Sequence, residues 1–443
     1  MPTENTLDYA FETTSQSIIK ALGVGGGGGN AVTHMYKQGI LNVSFALCNT
    51  DSQALRDSPV PIKLQLGEGL GAGNKPELAR QIAEESIDEI KQLLNDGTKM
   101  IFITAGMGGG TGTGAAPVIA KIAKELDILT VGIVTIPFAF EGKRKILKAL
   151  AGVEEMAKYV DALLVVNNER LREIYPDFTA PKAFAKADDT LTIAAKGIAE
   201  MITRTGDINL DFADVKSTLK DGGVASMTTG YGEGDKRVLK AFESALNSPL
   251  LNNNNVCNAK RLLFNIYYGD DELMTYELDE VDKFTEQFNV EEVDVIWGMG
   301  KDDKLGNQVK ITLLASGFDF SNITNSGSGS SSNSGSGNEP EGEGGGKIDF
   351  GKKPAAEFDN NNVSNNDDNA KIKKWYIRSS EPAILTVEQM NDDELIAQME
   401  LVPSCKRNAK TAARNIVQAK KLQSQSSSPS LGQEDDGVIR FSS

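Results

Sequence analysis

A chain of 443 residues, 40% of them hydrophobic, is long enough for two packed domains. Its 62 acidic against 46 basic side chains leave a formal charge of -16, which argues against a nonspecific nucleic-acid binder, because such proteins need a positive footprint. A single histidine excludes an HExxH metal site, and three widely spaced cysteines draw neither a disulfide framework nor a zinc-ligand spacing.

Residues 1–17 carry no basic stretch followed by an apolar run, so they read as a disordered lead rather than a signal peptide. No apolar run reaches the roughly 18 residues of a membrane span, so the expectation is a cytoplasmic protein without direct membrane insertion. From Ile18 to about Phe320, short β-branched runs alternate with amphipathic segments of helical length, the pattern of an α/β sheet with crossover helices. The strand candidates are Val43–Asn49, Met100–Ala105, Thr130–Thr135 and Leu163–Asn167. Helices are expected at Asn30–Gln38, Pro76–Asn95, Gly114–Leu126 and Lys143–Lys158. A mostly parallel, doubly wound Rossmann-type domain follows, over 18–180.

Pro181 to Thr205 reads as one long connecting helix, placing a connector at 181–206. Strand-like runs at Gly223–Thr229, Arg261–Tyr268, Val293–Met299 and Val309–Ala315, with helical stretches Asp235–Asn247 and Thr275–Phe288, predict a second, smaller α/β domain over 207–320. The stretch 321–370, opening with Ser/Gly/Asn repeats, is too poor in apolar residues to offset the ordering entropy of a fold and reads as a linker. Within 371–443, Thr386–Leu401 is amphipathic and Cys405–Leu422 is basic and helix-prone, so this tail reads as a tethered interaction segment.

Two glycine-rich segments carry the chemistry. Gly23 to Asn30 satisfies GxGxxG and opens onto a helical run, which alone fits either a flexible turn or a dinucleotide site. The second, Gly108-Gly109-Gly110-Thr111-Gly112-Thr113-Gly114, lies between a strand pattern and the helical AAPVIAKIAKEL. Glycine lets backbone N–H groups approach a polyphosphate, and the following helix N-terminus supplies partial positive charge. A phosphate cradle is the economical reading, and the absence of GxxxxGK[ST] makes it a different cradle from the P-loop.

GGGTGTG together with GVGGGGGNAV, NTDSQAL (Asn49–Leu55), PFAFEGK (Pro137–Lys143) and NLDFADV (Asn209–Val215) resembles the FtsZ family, the tubulin-like GTPases of bacterial cell division, over roughly Ile18–Gly317. The resemblance implies GTP or GDP with Mg²⁺ as cofactor. It assigns Gly26, Gly27, Gly28, Gly29, Asn30, Gly110, Thr111, Gly112 and Thr113 to the nucleotide phosphates and ribose, with Gly108 and Gly109 shaping the loop. Glu141 matches the ribose-contacting acid, whereas the family's nearby arginine is Lys145 here, with Arg144 beside it; the residues alone leave Lys143 to Lys145 equally readable as a solvated helix start. Gly71-Ala72-Gly73-Asn74-Lys75-Pro76 also departs from the usual GAGANP loop, which is assigned to the γ-phosphate and metal. Asn168 falls near the ribose and base, Phe184 is placed to stack on the base, and Asp188 to accept the guanine N1 and amine donors. Without the family, Asp188 would read as part of a solvated helix face.

Asn209, Asp211 and Asp214 match the loop that completes the catalytic site of the next subunit, implying head-to-tail filaments whose assembly and hydrolysis are one event. Locally the same acids make a helix cap, and both readings stand. Glu400 to Arg407 faintly resembles the family's docking peptide for membrane adaptors and regulators, and Gly437 to Phe441 is its rival. The family's location is a ring at midcell beneath the inner membrane. A nicotinamide-dependent oxidoreductase would leave GGGTGTG without a role, and a partition filament fits the motif density less well.

Overall fold

The first strand, β1 (Ile19–Val24), is buried along its whole length, as a strand covered by helices on both faces must be. Even Lys20 is fully buried there, its Nζ donating to the Leu93 carbonyl and to Asp96, each at 2.6 Å. The computed structural model describes residues 17–246, 259–286 and 293–318, together with Asp368, Lys371, Ile372, Trp375 and Tyr376.

Around β1 the other strands are β2 (Val43–Asn49), β3 (Ile62–Gln65), β4 (Met100–Gly106), β5 (Leu129–Ile136), β6 (Ala162–Asn167), β7 (Gly223–Gly232), β8 (Arg261–Tyr268), β9 (Asp294–Lys301) and β10 (Val309–Phe318). They form one sheet in the order β3-β2-β1-β4-β5-β6-β7-β10-β8-β9. The pairs from β3 through β7 are parallel, whereas β10 runs antiparallel to both β7 and β8. The expected second α/β region is therefore an extension of the same sheet, and β6 and β7 join through two residue pairs only, Ala162 with Gly223 and Leu163 with Val224.

The helices are α1 (Gly25–Gln38), α2 (Ser52–Arg56), α3 (Pro76–Glu85), α4 (Ile87–Leu94), α5 (Thr111–Glu125), α6 (Lys143–Met156), α7 (Asn168–Ile174), α8 (Ala180–Thr203), α9 (Phe212–Leu219), α10 (Arg237–Leu246) and α11 (Thr275–Thr285). Three departures from the sequence expectation have local causes. The helix expected from Asn30 begins at Gly25, so the glycines are its first turn rather than a loop before it. The helix expected over Pro76–Asn95 breaks at Ser86, whose hydroxyl donates to the Ile82 carbonyl and whose ψ of 27° leaves the helical range. The short β3, α2 and α7 carry too few residues for a periodic signal.

Apolar side chains fill three clusters. Two cover opposite faces of the parallel part, one with Ile119 and Val153, the other with Leu191 and Ile198 of α8. The third lies between α10, α11 and the β8–β10 strands, where Phe242 stacks on Phe284 with centroids 3.8 Å apart. A buried bidentate pair, Arg237 with Glu277 at 2.7 and 3.0 Å, joins α10 to α11. Among the described residues no helix is long and apolar enough to cross a membrane. The predicted tail segments Thr386–Leu401 and Cys405–Leu422, and both docking-peptide candidates, lie outside the described residues.

Candidate functional site

Strand order reverses between β1 and β4, and in open α/β sheets ligands bind beyond the carboxyl ends of the strands at such a switch point. Both helices that leave this point begin without a side-chain cap: α1 after Val24 and α5 after Gly110. Their first-turn N–H groups thus have no side-chain acceptor, and each helix end carries partial positive charge.

The glycines divide by what a Cβ would meet. At Gly28 it would lie 2.0 Å from the Thr104 carbonyl oxygen, and at Gly112 it would lie 2.6 Å from that of Gly106. Gly25, at φ +72°, and Gly27 approach Gly112 and Gly106 in the same way, locking α1 against the β4–α5 turn. Gly26, Gly29 and Gly109 have nothing within 4 Å and face open space. Gly108 adopts φ +99° against Lys145, and Gly110 abuts Ala72 and Lys75, which brings the Gly71–Pro76 loop to the same cradle. Asn30, on the first turns of α1, is exposed.

The threonines act partly within the protein. Thr113 is buried and its hydroxyl oxygen accepts the Gly108 N–H at 2.8 Å, so it braces the loop. Thr111 shares a 2.7 Å hydrogen bond with Thr50, tying the turn to the end of β2. Thr50 and Asn49 were recognised in the sequence only as part of a motif; their position beside the cradle follows from the parallel pairing of β1 with β2.

At the other side of the crevice, Glu141 Oε1 accepts the Phe138 N–H at 2.8 Å and Oε2 pairs with Lys145 at 2.5 Å. Arg144 is exposed. Phe184 on α8 is 42% exposed and meets Phe138 edge to face, leaving an aromatic surface open. Asn168 is 5% exposed, yet its Oδ1 has no hydrogen-bond partner among the described residues. Asp188 is half-buried, and removal from water pushes its carboxyl up to about 6. A polar ligand carrying N–H donors answers both needs.

Asn209, Asp211 and Asp214 lie elsewhere. They follow the C-terminal end of α8, whereas Phe184 and Asp188 lie near its start. Fifteen residues separate Asp188 from Thr203, about 22 Å of helix. Asp211 caps α9, accepting the Ala213 and Asp214 N–H groups, and Asp214 returns the bond to the Asp211 N–H. Asn209 Oδ1 accepts the Gly206 N–H at 2.7 Å. The capping reading of these acids is realised within the chain, and the two carboxylate groups stand apart from the cradle.

The site fits a purine nucleotide: two uncapped helix ends and close-packed glycines for the phosphates, an open phenylalanine, an orphaned Asn168 oxygen and the Asp188 carboxylate, which has no donor among the described residues. No group of three or more His, Cys, Asp or Glu side chains among the described residues forms a metal cage. A Mg²⁺ ion bound mainly through substrate phosphates is compatible with that arrangement.

The Tubulin/FtsZ family GTPase-domain model matches residues 18–176, and the FtsZ family C-terminal-domain model matches 223–319. The cell division protein FtsZ of Porphyromonas gingivalis is 53% identical over 412 residues, covering 90% of this chain and 87% of its own. That of Pseudomonas aeruginosa is 45% identical over 306 residues, covering 68% and 77%. Among solved structures, an empty FtsZ dimer from M. jannaschii superposes with a TM-score of 0.63 at 38% identity, covering 69% of this chain and 89% of that one. By fold, crevice and sequence together, the chain belongs to the FtsZ family of tubulin-like GTPases.

Proposed function

We propose that this chain assembles head to tail through GTP and hydrolyses it at the contact, with the acids of one copy completing the cradle of the next. The observation that carries this reading is the length of α8: it holds Phe184 and Asp188 near one end and places Asp211 and Asp214 beyond the other. Within one copy the base contacts and these acids lie at opposite ends of that helix, whereas a heterologous contact can bring the acids of one copy to the nucleotide of another, and such contacts give open filaments.

In this reading 18–180 binds the nucleotide, 181–206 spans the gap and 207–320 presents the acids. The N–H groups of Gly26 to Asn30 and Gly110 to Gly112 bind phosphate oxygens, with Gly108, Gly109 and Thr113 holding the loop. Glu141 and Asn168 meet the ribose, Phe184 stacks on the base and ionised Asp188 accepts its two N–H donors. A Mg²⁺ ion arriving with GTP would supply charge neutralisation at the phosphates that the main-chain N–H groups hold. Asp211 and Asp214 each retain a carboxylate oxygen outside the capping box, and these orient the attacking water from the neighbouring copy, assisted by Asn209. Lys145, held by Glu141, stands where the family has an arginine and contributes a point charge rather than a fork.

The family supports a role in the division ring at midcell, with 321–370 as linker and 371–443 as a tail that engages membrane-adaptor and regulatory proteins. The test is light scattering together with phosphate release, comparing GTP with ATP across protein concentration. Scattering with GTP alone, and hydrolysis per molecule that rises cooperatively with concentration, is the expected result. Hydrolysis per molecule independent of concentration would refute the shared site.

A further inference from the structure

Beyond the Ser/Gly/Asn-rich stretch that follows β10, two consecutive aromatic residues belong to the nucleotide-binding half. Trp375 is 9% exposed and joins the core cluster that contains Ile146, Leu150 and Val153 of α6, while Ile372 and Tyr376 pack against that cluster. Two hydrogen bonds fix the pair. Asn167 Nδ2 donates to the Trp375 carbonyl at 2.7 Å, and the Tyr376 hydroxyl donates to the Pro137 carbonyl at 2.5 Å. Lys371 adds an exposed pairing with Glu154 of α6 at 3.5 Å.

The two attachment points adjoin Glu141 and Asn168, the proposed ribose contacts. Pro137 leads directly into Phe138 to Glu141, and Asn167 caps α7 by accepting the Glu169 N–H at 3.0 Å. Glu169 in turn accepts the Ala139 N–H at 2.9 Å, so the two segments are already bonded to each other behind the crevice. Burial, with the negative charges of Glu169 and Glu141, pushes the Tyr376 hydroxyl up from its ordinary range, so it remains a donor throughout neutral pH. A segment covalently joined to its docking face meets that face at an effective concentration far above that of a second copy at micromolar protein.

We infer that Trp375 and Tyr376 form an intramolecular anchor, in which the chain's own post-linker segment docks against α6 and the ends of β5 and β6 and braces segments 137–141 and 167–169. The chain beyond Tyr376 then departs from beside segments 137–141 and 167–169 rather than from the end of β10. That consequence for partner presentation rests on the tail reading above; the anchor itself does not.

Trp297→Phe leaves Trp375 as the sole tryptophan. In the full chain, stripped of nucleotide, its emission should be blue-shifted and acrylamide quenching several-fold weaker than for a peptide of residues 368–380. Both readings should stay constant from 0.1 to 10 μM protein, roughly the range in which tethered docking far outcompetes docking between copies. Hydrogen exchange in chains with native Trp297 supplies the second measurement: Trp375→Ala should speed exchange at 137–141 and 167–172 by at least about fivefold while leaving β4 unchanged. Peptide-like quenching, or exchange unchanged by Trp375→Ala, overturns the anchor. Protection that appears only as concentration rises overturns the intramolecular arrangement in favour of docking between copies. Because both readouts are taken without nucleotide, failure here leaves the GTP-site assignment standing.

Discussion

Asp211 and Asp214 hold each other across the first turn of α9, the Asp214 N–H donating to Asp211 Oδ1 at 3.0 Å and the Asp211 N–H donating to Asp214 Oδ2 at 2.8 Å. One carboxylate therefore has two separable duties, capping its own helix and, in the proposed filament, acting on a neighbour's phosphate. Asp211→Asn keeps the cap and removes the charge, whereas Asp211→Ala removes both. Phosphate release should fall at least about 100-fold in each. Only the alanine variant should lose about 1 kcal/mol of stability, a drop of about 2–4 °C in Tm. Wild-type hydrolysis by the asparagine variant would assign Asp211 to capping alone.

The base-recognition role proposed for Asp188 predicts a pH dependence of binding. Its folded carboxyl titrates near 6, above the ordinary range, because desolvation penalises the ionised form. In the unliganded fold that charge is a burden at neutral pH, relieved as pH falls through about 6. Guanine binding needs the ionised form as acceptor, so the sign reverses for the complex. GDP affinity should fall by about tenfold per pH unit below 6, and Asp188→Asn should bind more weakly with a flat profile. Equilibrium dialysis between pH 5 and 8 decides it, and a flat wild-type curve would remove Asp188 from base recognition.

Gly26 and Gly28 should respond in opposite ways to the same methyl group. At Gly28 the added Cβ would meet the Thr104 carbonyl oxygen at 2.0 Å, so Gly28→Ala should unfold or fail to accumulate. At Gly26 the Cβ enters open space, and alanine is the better helix former by about 1 kcal/mol. Gly26→Ala should therefore melt no lower than wild type while losing tenfold or more in nucleotide affinity. Full affinity in that variant would show that open space beside Gly26 is not where phosphate lies.

The Arg237–Glu277 pair is buried on both sides, and the Arg237 guanidinium holds the Glu277 carboxyl below its usual range. Removing one member strands the other charge, so Arg237→Ala should cost about 3–5 kcal/mol in chemical denaturation. GDP binding at saturating protein stability should be unchanged, since this pair joins α10 to α11, away from the crevice.

The parallel sheet was readable because its strands are continuous apolar runs between periodic helices, as β4 and β5 illustrate. The turn between β4 and α5 was readable from GGGTGTG, because so many glycines between a strand and a helix mark a tight, closely packed turn. Asn168 and Asp188 needed the family, because an isolated asparagine or aspartate on a helix has no local signature. The tertiary settings that make them notable, an orphaned oxygen and a carboxylate without a donor, exist only after α7 and α8 pack. Glycines of α1 were misplaced into a loop because helix propensity counts them as breakers, and only the close approach to Thr104 and Gly106 explains their place in a helix. Trp375 and Tyr376 gave no sequence signal at all, since two aromatics after a polar stretch look the same docked or free.

If the proposed pocket grips its ligand through main-chain amides, that has a consequence for inhibitors. Side-chain contacts can be edited away by single substitutions, but an amide stays whatever residue carries it, and at Gly28 and Gly112 even the smallest replacement collides with a carbonyl oxygen. A compound that satisfies the first-turn N–H groups of α1 and α5 would leave the cell few escape routes through those positions. In the proposed site, resistance would have to arise at the rim, at Phe184, Asp188 or Lys145, whose side chains evolution can still exchange.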